Sequence, residues 1–305
     1  MKAIVTGANG FVGSAVCREL SDRGYEVIAV VRSEKSVVTS IKGLRGLQIL
    51  YCDMDSYSDL KEQISERDID MFYHFAWEGS AGSLRGDNNV QMNNIKCTCD
   101  AVSACADLGC KRFIFAASIM EYEINAFMQT DIAPGINSIY PVAKLTADYM
   151  AKTLAGKMGI EYIRGVISNI YGPGEISPRL VNTSLRKMLK NEHCAFSAGE
   201  QMYDFIYITD AAKAFVAVGE SGRPYKTYYI GSLEPKPLRF FLLEMRDRVD
   251  PLIEIGLGEL PFDGVSLSYE EFDVLAVKKD TGFVPLVSFS EGIGNTIDWI
   301  RENSL

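Results

Sequence analysis

The chain of 305 residues is poor in the side chains that build several common kinds of site. It has two histidines, His74 and His193, which excludes a multi-histidine metal centre and a histidine-rich proton relay. Its seven cysteines (17, 52, 97, 99, 105, 110, 194) include no Cys-x-x-Cys pair. That pattern argues against zinc and disulfides and for buried free thiols in a reducing compartment. No apolar stretch approaches the ~18 residues that a membrane span needs. The opening residues lack the charged-then-apolar order of a secretory signal, so a cytoplasmic location is expected. The formal net charge is −9, which offers no surface suited to nucleic acid. Any bound phosphate must therefore be held by a few local cations.

What is present starts at the first residues. Ala3, Ile4 and Val5 form an apolar strand that runs into Gly7, Gly10 and Gly13, and Val12, Val16 and Leu20 then share one face of a helix. Strand, glycine turn and helix in this order let a backbone approach a pyrophosphate closely, with helix N–H groups pointing at the anion. The motif predicts a bound dinucleotide; the competing reading is a glycine turn that binds nothing.

Strand and helix signals alternate through the first half. Strands are expected at Tyr25–Val31, Gln48–Cys52, Met71–Phe75, Lys111–Ala117 and Glu161–Ser168. Apolar strands joined by crossover helices predict an α/β fold, a doubly wound and mostly parallel sheet with helices on both faces. After Tyr171 the texture changes at Gly172-Pro-Gly174, and helices are expected at Leu180–Lys190 and Leu238–Val249. Phe205–Ile208 and Tyr228–Gly231 read as strands that return to the main sheet. The expected division is a dinucleotide-binding domain of 1–170, rejoined by 205–231. A smaller, discontinuous substrate lobe is expected from 171–204 and 232–305, with the substrate in the cleft between the two.

Tyr140 and Lys144 stand four apart on a helix expected from Ile139 to Leu154, so they share a face. An ammonium near a phenol favours the phenolate and draws its pKa from ~10 towards neutrality. Such a tyrosine exchanges protons with a hydroxyl or carbonyl while a nicotinamide exchanges the hydride. The spacing alone is weak, because Tyr57 and Lys61 repeat it on what reads as a surface helix. Ser118 adds to it, since it ends the fifth strand and can share one substrate oxygen with Tyr140; the plainer reading is a strand-end turn residue.

These pieces form a set: Thr6-Gly-Ala-Asn-Gly-Phe-Val-Gly13, Asp53, His74-Phe-Ala76, Asn94, Phe115-Ala-Ala-Ser118, Tyr140-Pro-Val-Ala-Lys144 and Asn169-Ile-Tyr-Gly-Pro-Gly174. The set resembles the extended short-chain dehydrogenase/reductases, and within them the nucleotide-sugar epimerase, dehydratase and ketoreductase group, over the whole chain. The resemblance implies a Rossmann-type sheet with Tyr140 as acid/base, Lys144 also holding the nicotinamide ribose, and Ser118 polarising the substrate oxygen. It implies a cofactor held by Gly7, Asn9, Gly10, Phe11, Val12 and Gly13, by Asp53 and Met54 at the adenine, by Phe75 and Ala76, and by Asn94. Asp53 as a strand-end turn and Asn94 as a buried polar bridge are the plainer alternatives. Asn169 would sit beside nicotinamide and substrate.

Cofactor choice turns on the end of the second strand, where an acidic side chain would repel a 2′-phosphate. The chain has Arg32 and Ser33 there, and the arginine fork suits a phosphate, so NADP(H) is favoured and NAD(H) remains open. The alternative has Arg32 stacked on adenine, reading no phosphate. NADP(H) leans the expected reaction towards reduction of a nucleotide-linked 4-keto-hexose. A 4-epimerase retaining its cofactor is the alternative, and a non-catalytic NADP(H)-sensing or interaction protein is the lesser one. A 4,6-dehydratase fits less well, because that subgroup carries Asp-Glu after the active-site hydroxyl residue and this chain has Ile119-Met120, with Glu121 next.

Tyr203 stands where the group often has a diphosphate-binding arginine, so Arg179 and its neighbours on the 178–190 helix are candidate replacements. Trp77, Glu78 and Arg85 belong to a loop expected to overhang the nicotinamide. Trp77 stacks on a sugar ring in one reading and packs on the small lobe in the other. Arg85 could bond sugar hydroxyls. The resemblance also implies a homodimer through the 94–108 and 140–155 helices.

Overall fold

The computed structural model describes residues 1–128, 134–262 and 264–303. In chain order its elements are β1 (Lys2–Thr6), α1 (Phe11–Asp22), β2 (Glu26–Val31), β3 (Leu47–Tyr51), α2 (Leu60–Gln63), β4 (Met71–His74), α3 (Asn88–Asp107), β5 (Arg112–Ser118), α4 (Glu123–Phe127), α5 (Ile139–Met158) and β6 (Glu161–Ile167). There follow β7 (Asn169–Tyr171), α6 (Leu180–Leu189), β8 (Cys194–Phe196), β9 (Met202–Tyr203), β10 (Phe205–Tyr207), α7 (Ile208–Ser221), β11 (Thr227–Ile230), β12 (Lys236–Pro237), α8 (Leu238–Val249), β13 (Ile255–Leu257), α9 (Ala276–Thr281) and α10 (Phe289–Asn303).

Seven strands form one sheet in the order β3-β2-β1-β4-β5-β6-β11, every neighbouring pair parallel. Because side chains alternate along a strand, Ala3 and Val5 join Tyr73, Ile114 and Ile163 under α1 and α7. Ile4, Phe72, Phe113 and Tyr162 face the other way, under α3 and α5. Both faces are covered, which is why these strands read as continuous apolar runs. The strand order reverses between β1 and β4, so a crevice opens at the carboxyl ends of these two strands.

Two expectations need correction. Thr227–Ile230 joins the main sheet beside β6, but Phe205–Tyr207 pairs with β7 in a separate two-stranded ladder. Tyr57, expected on a surface helix, lies in a 3-10 turn (Met54–Asp59) and is 2% exposed, because its ring fills the core above His74. The later segments assemble β8 with β13, β9 with β12, and helices α6, α8 and α10 into a lobe beside the sheet, stitched by Phe241 against Phe289 at 4.8 Å. Among the described residues no helix is long and apolar enough to cross a membrane, and no cluster of His, Cys, Asp and Glu could hold a metal.

Candidate active site

The turn between β1 and α1 is built as tightly as its glycines allow. Gly7 has φ +65°, and a Cβ there would lie 2.7 Å from the Ala76 nitrogen. A Cβ on Gly13 would lie 2.2 Å from the Gly7 carbonyl oxygen. Gly10 caps α1 with no side-chain hydrogen bond, and the first helical turn carries no acid. The first N–H groups of α1 therefore face the crevice without a side chain over them, which is an arrangement fit for a pyrophosphate.

This turn forms one wall of a cleft of about 720 Å³. Of the residues expected at the site, the cleft brings together Gly7, Asn9, Gly10, Phe11, Val12, Gly13, Phe75, Trp77, Ser118, Tyr140, Lys144, Asn169, Arg179 and Tyr203. Arg32, Ser33, Asp53, Met54, Ala76 and Asn94 do not line it. Arg32 and Ser33 directly follow β2 and Asp53 closely follows β3, so they lie further along the same sheet edge. The Arg32 guanidinium is half exposed and meets Glu78 at 3.4 Å, and the Ser33 N–H donates to the Ser36 hydroxyl. Asp53 caps the following 3-10 turn by accepting the Asp55 N–H, while Met54 is buried.

Ser118 ends β5 and starts a 3-10 turn, its hydroxyl accepting the Met120 N–H and its own N–H donating to Glu121 at 2.7 Å. Tyr140 and Lys144, on one face of α5, are 7% and 6% exposed. The Lys144 ammonium donates to the Ala116 carbonyl at 3.0 Å and sits 3.9 Å from the centre of the Trp77 ring. Burial lowers its pKa to about 8, against the pull of Glu121 and Asp148. Trp77 thus roofs the lysine and stands edge-on to Tyr140 at 6.1 Å.

The electrostatics of Tyr140 differ from the sequence expectation. Burial raises its pKa, and the groups that oppose this are the Ser118 hydroxyl, by hydrogen bond, and the cations of Arg179 and Arg85. Lys144, a turn further along α5, is engaged with Ala116 and Trp77 instead. Arg85, in the turn Ser83–Gly86, lies over the Tyr140 ring at 4.6 Å. Arg179 precedes α6 and leans on Glu175 at 3.4 Å. Tyr203 stacks on Phe205, and the Asn169 amide donates to the Asp204 carbonyl.

Asn94 takes the plainer of its two readings, a buried polar bridge. It is 1% exposed, and its side chain accepts the Glu78 N–H at 2.9 Å and donates to the Glu78 carbonyl at 2.8 Å. Its neighbour Gln91 was not foreseen. It accepts the Trp77 indole N–H at 3.0 Å and donates to the carbonyls of Gly79 and Leu84. The two amides hold the 77–84 loop over the cleft, and Asp87 capping α3 fixes the first turn on which Gln91 lies. Polar residues on the first turns of α3 are the one sequence signal for them. A second unforeseen group lies behind Ser118, where Arg164 on β6 pairs with Glu121 and Asp148, both at 2.5 Å. His74 is buried between the hydroxyls of Thr6 and Thr98, and burial takes its pKa to about 3, so it is a neutral strut between β1 and α3.

A family model described as the NAD dependent epimerase/dehydratase family matches residues 3–231. An "Uncharacterized UDP-glucose epimerase YtcB" of Bacillus subtilis is 27% identical over 77% of this chain and 78% of its own length. A dTDP-glucose 4,6-dehydratase of Xanthomonas campestris is 24% identical over 98% and 93%. Among solved structures, the UDP-glucuronic acid 4-epimerase of Bacillus cereus, in complex with UDP-glucuronic acid and NAD, superposes with a TM-score of 0.80 at 22% identity over 99% of this chain and 100% of that one.

Proposed function

Since the chain belongs to the NAD dependent epimerase/dehydratase family, of extended short-chain dehydrogenase/reductases, we propose that it is a nucleotide-sugar 4-epimerase. The observation that carries this reading is the meeting of Ser118, Tyr140 and Lys144 in one cleft walled by the Gly7–Gly13 turn. The dinucleotide fits that wall: Gly7 and Asn9 to Gly13 would hold its pyrophosphate and Phe75, Asn169 and Lys144 its nicotinamide end, while Asp53, further along the sheet edge, would reach its adenine. When bound, it would supply a hydride acceptor and donor for C4 of the sugar.

The chain's own residues handle the proton. Tyr140 as phenolate takes the proton of the C4 hydroxyl, and the Ser118 hydroxyl donates to the same oxygen as carbonyl character develops. Arg85 and Arg179 lower the cost of that phenolate in a dry site. Once the 4-keto sugar has turned its other face, Tyr140 returns the proton. Dehydration would need a free acid beside Ser118, whereas Glu121 is spent on the Ser118 N–H and Arg164. Trp77, Arg179 and Tyr203 bound the space left for sugar and diphosphate. The exposed Met92 on α3 and Val142, Tyr149 and Met150 on α5 support a homodimer through these helices.

Proton NMR of purified protein with UDP- and dTDP-linked hexoses and no added cofactor tests the reading. Interconversion of C4 epimers is expected, and its absence in both nucleotide series refutes it. Arg32 favours a second reading, an NADP(H)-dependent reductase of a nucleotide-linked 4-keto-hexose, because the end of β2 carries no acid against a 2′-phosphate. That reading expects NADPH oxidation on adding a 4-keto sugar. It also expects Arg32→Ala to weaken NADP(H) far more than NAD(H), and equal losses would remove it.

A further inference from the structure

Arg85 is the cation of the cleft with an unused recognition edge. It stands in the Ser83–Gly86 turn, lines the cleft and lies face-on to the Tyr140 ring, 4.6 Å from its centre. Its Nε and Nη2 atoms are buried, and among the described residues neither has a hydrogen-bond acceptor. No ion pair to an acidic side chain is found for it among these residues either. Glu123 feels its charge at a distance, but burial still pushes that carboxyl up to about 7.

Nε and Nη2 form the side-on edge of a guanidinium, two parallel N–H groups that match the two oxygens of a carboxylate. A buried charged donor pair without acceptors is costly, and proteins keep such pairs where a ligand completes them. The loop around it is not slack. Gln91 and Asn94 bond the backbone of Glu78, Gly79 and Leu84, so Arg85 stands on a held support. Trp77, pinned by Gln91, closes the apolar side.

From this geometry we infer that the sugar presented to Tyr140 carries a carboxylate on the ring carbon next to the reacting one, received by the Nε–Nη2 edge of Arg85. The preferred substrate class is a nucleotide-linked uronic acid rather than a neutral hexose. The inference rests on the proposed reaction at C4 for its placement, but the binding preference stands or falls separately. A neutral CH₂OH offers one oxygen to a two-donor edge and leaves a buried N–H unpaired, so it forfeits affinity. Loss of one charge-assisted pair of this kind corresponds to about 10- to 100-fold in Kd.

The test is calorimetric binding to the protein as purified. UDP-glucuronic acid is compared with UDP-glucose, and dTDP-glucuronic acid with dTDP-glucose, for wild type, Arg85→Leu and Arg85→Lys. Wild type is expected to bind the acid at least about 10-fold more tightly than the neutral sugar in one nucleotide series. Arg85→Leu should abolish that preference, and its far-UV circular dichroism and Tm, compared with those of wild type, show that the variant is folded. Arg85→Lys should recover little of it, because one ammonium cannot present two parallel donors. The inference is overturned if wild type shows no preference for the acid in either series, or if Arg85→Leu retains it. A preference without any C4 interconversion would refute the proposed reaction and leave the Arg85 assignment standing.

Discussion

Replacing Arg164 by methionine removes the charge that holds two buried carboxylates behind Ser118. Its guanidinium side chain is 11% exposed, and its partners Glu121 and Asp148 are 0% and 4% exposed. Deleting one partner of a buried ionic cluster leaves uncompensated charge and costs about 3–5 kcal/mol. That is a large share of the ~5–15 kcal/mol that stabilises a typical fold. The loss should depend on pH with a fixed sign. Burial already raises the Glu121 pKa, and without Arg164 its folded-state value rises further above the unfolded one. The penalty is then complete at pH values above the folded pKa and fades as pH falls towards the unfolded value near ~4. Urea denaturation followed by circular dichroism at pH 7.5 and 5.5 measures both effects. The variant's deficit should be about 3–5 kcal/mol at the higher pH and clearly smaller at the lower one. A second change, Glu121→Gln, should restore part of it at pH 7.5. A deficit under ~1 kcal/mol, or one that does not vary with pH, would refute the assignment of Arg164 as the neutralising charge.

Other perturbations act closer to the chemistry. Tyr140→Phe should lower kcat by about 10²–10⁴-fold while cofactor affinity, measured by quenching of protein fluorescence, stays within about twofold; unchanged turnover contradicts the acid/base role. Lys144 has its pKa lowered by burial from 10.5 to about 8, so between these values the unfolded chain holds the extra proton and stability rises with pH. Lys144→Met should flatten that rise in a series of thermal melts from pH 7 to 10, and an unaltered slope would show that the lysine is not desolvated. Gly13→Ala places a methyl group 2.2 Å from the Gly7 carbonyl, so it should lower Tm and weaken the bound dinucleotide together, and a variant with wild-type affinity would argue against the close approach.

How much was legible in the sequence depended on how local the determinants were. The glycine turn lies within one strand–turn–helix unit, so Gly7, Gly10 and Gly13 were read together. The first six strands fell within a residue or so of their observed ends, because both-face burial writes a continuous apolar run. Tyr140 and Lys144 share a helix face by arithmetic alone. What was missed is non-local. Gln91 acts on a loop that precedes its own helix, and only the fold shows that the backbone of Gly79 and Leu84 is its partner, whereas Asn94 fills the role of buried polar bridge that its position already offered. Glu121 meets Arg164 across 43 positions, and neither residue type announces the other. Tyr57 looked like a surface residue because its short turn carries no helical period, yet its ring completes the core. Strand β10 pairs with β7 rather than with the main sheet, since its three apolar residues fit either ladder.

In the proposed reaction, C4 of the sugar loses and regains a hydride inside this cleft while Tyr140 moves only the hydroxyl proton. The direct measurement uses a nucleotide hexose carrying deuterium at C4, incubated with the enzyme in ordinary water and read by NMR and mass spectrometry. The proposed reaction gives an epimerised product that keeps its deuterium at C4. Epimerised product with hydrogen from solvent at C4 would contradict it.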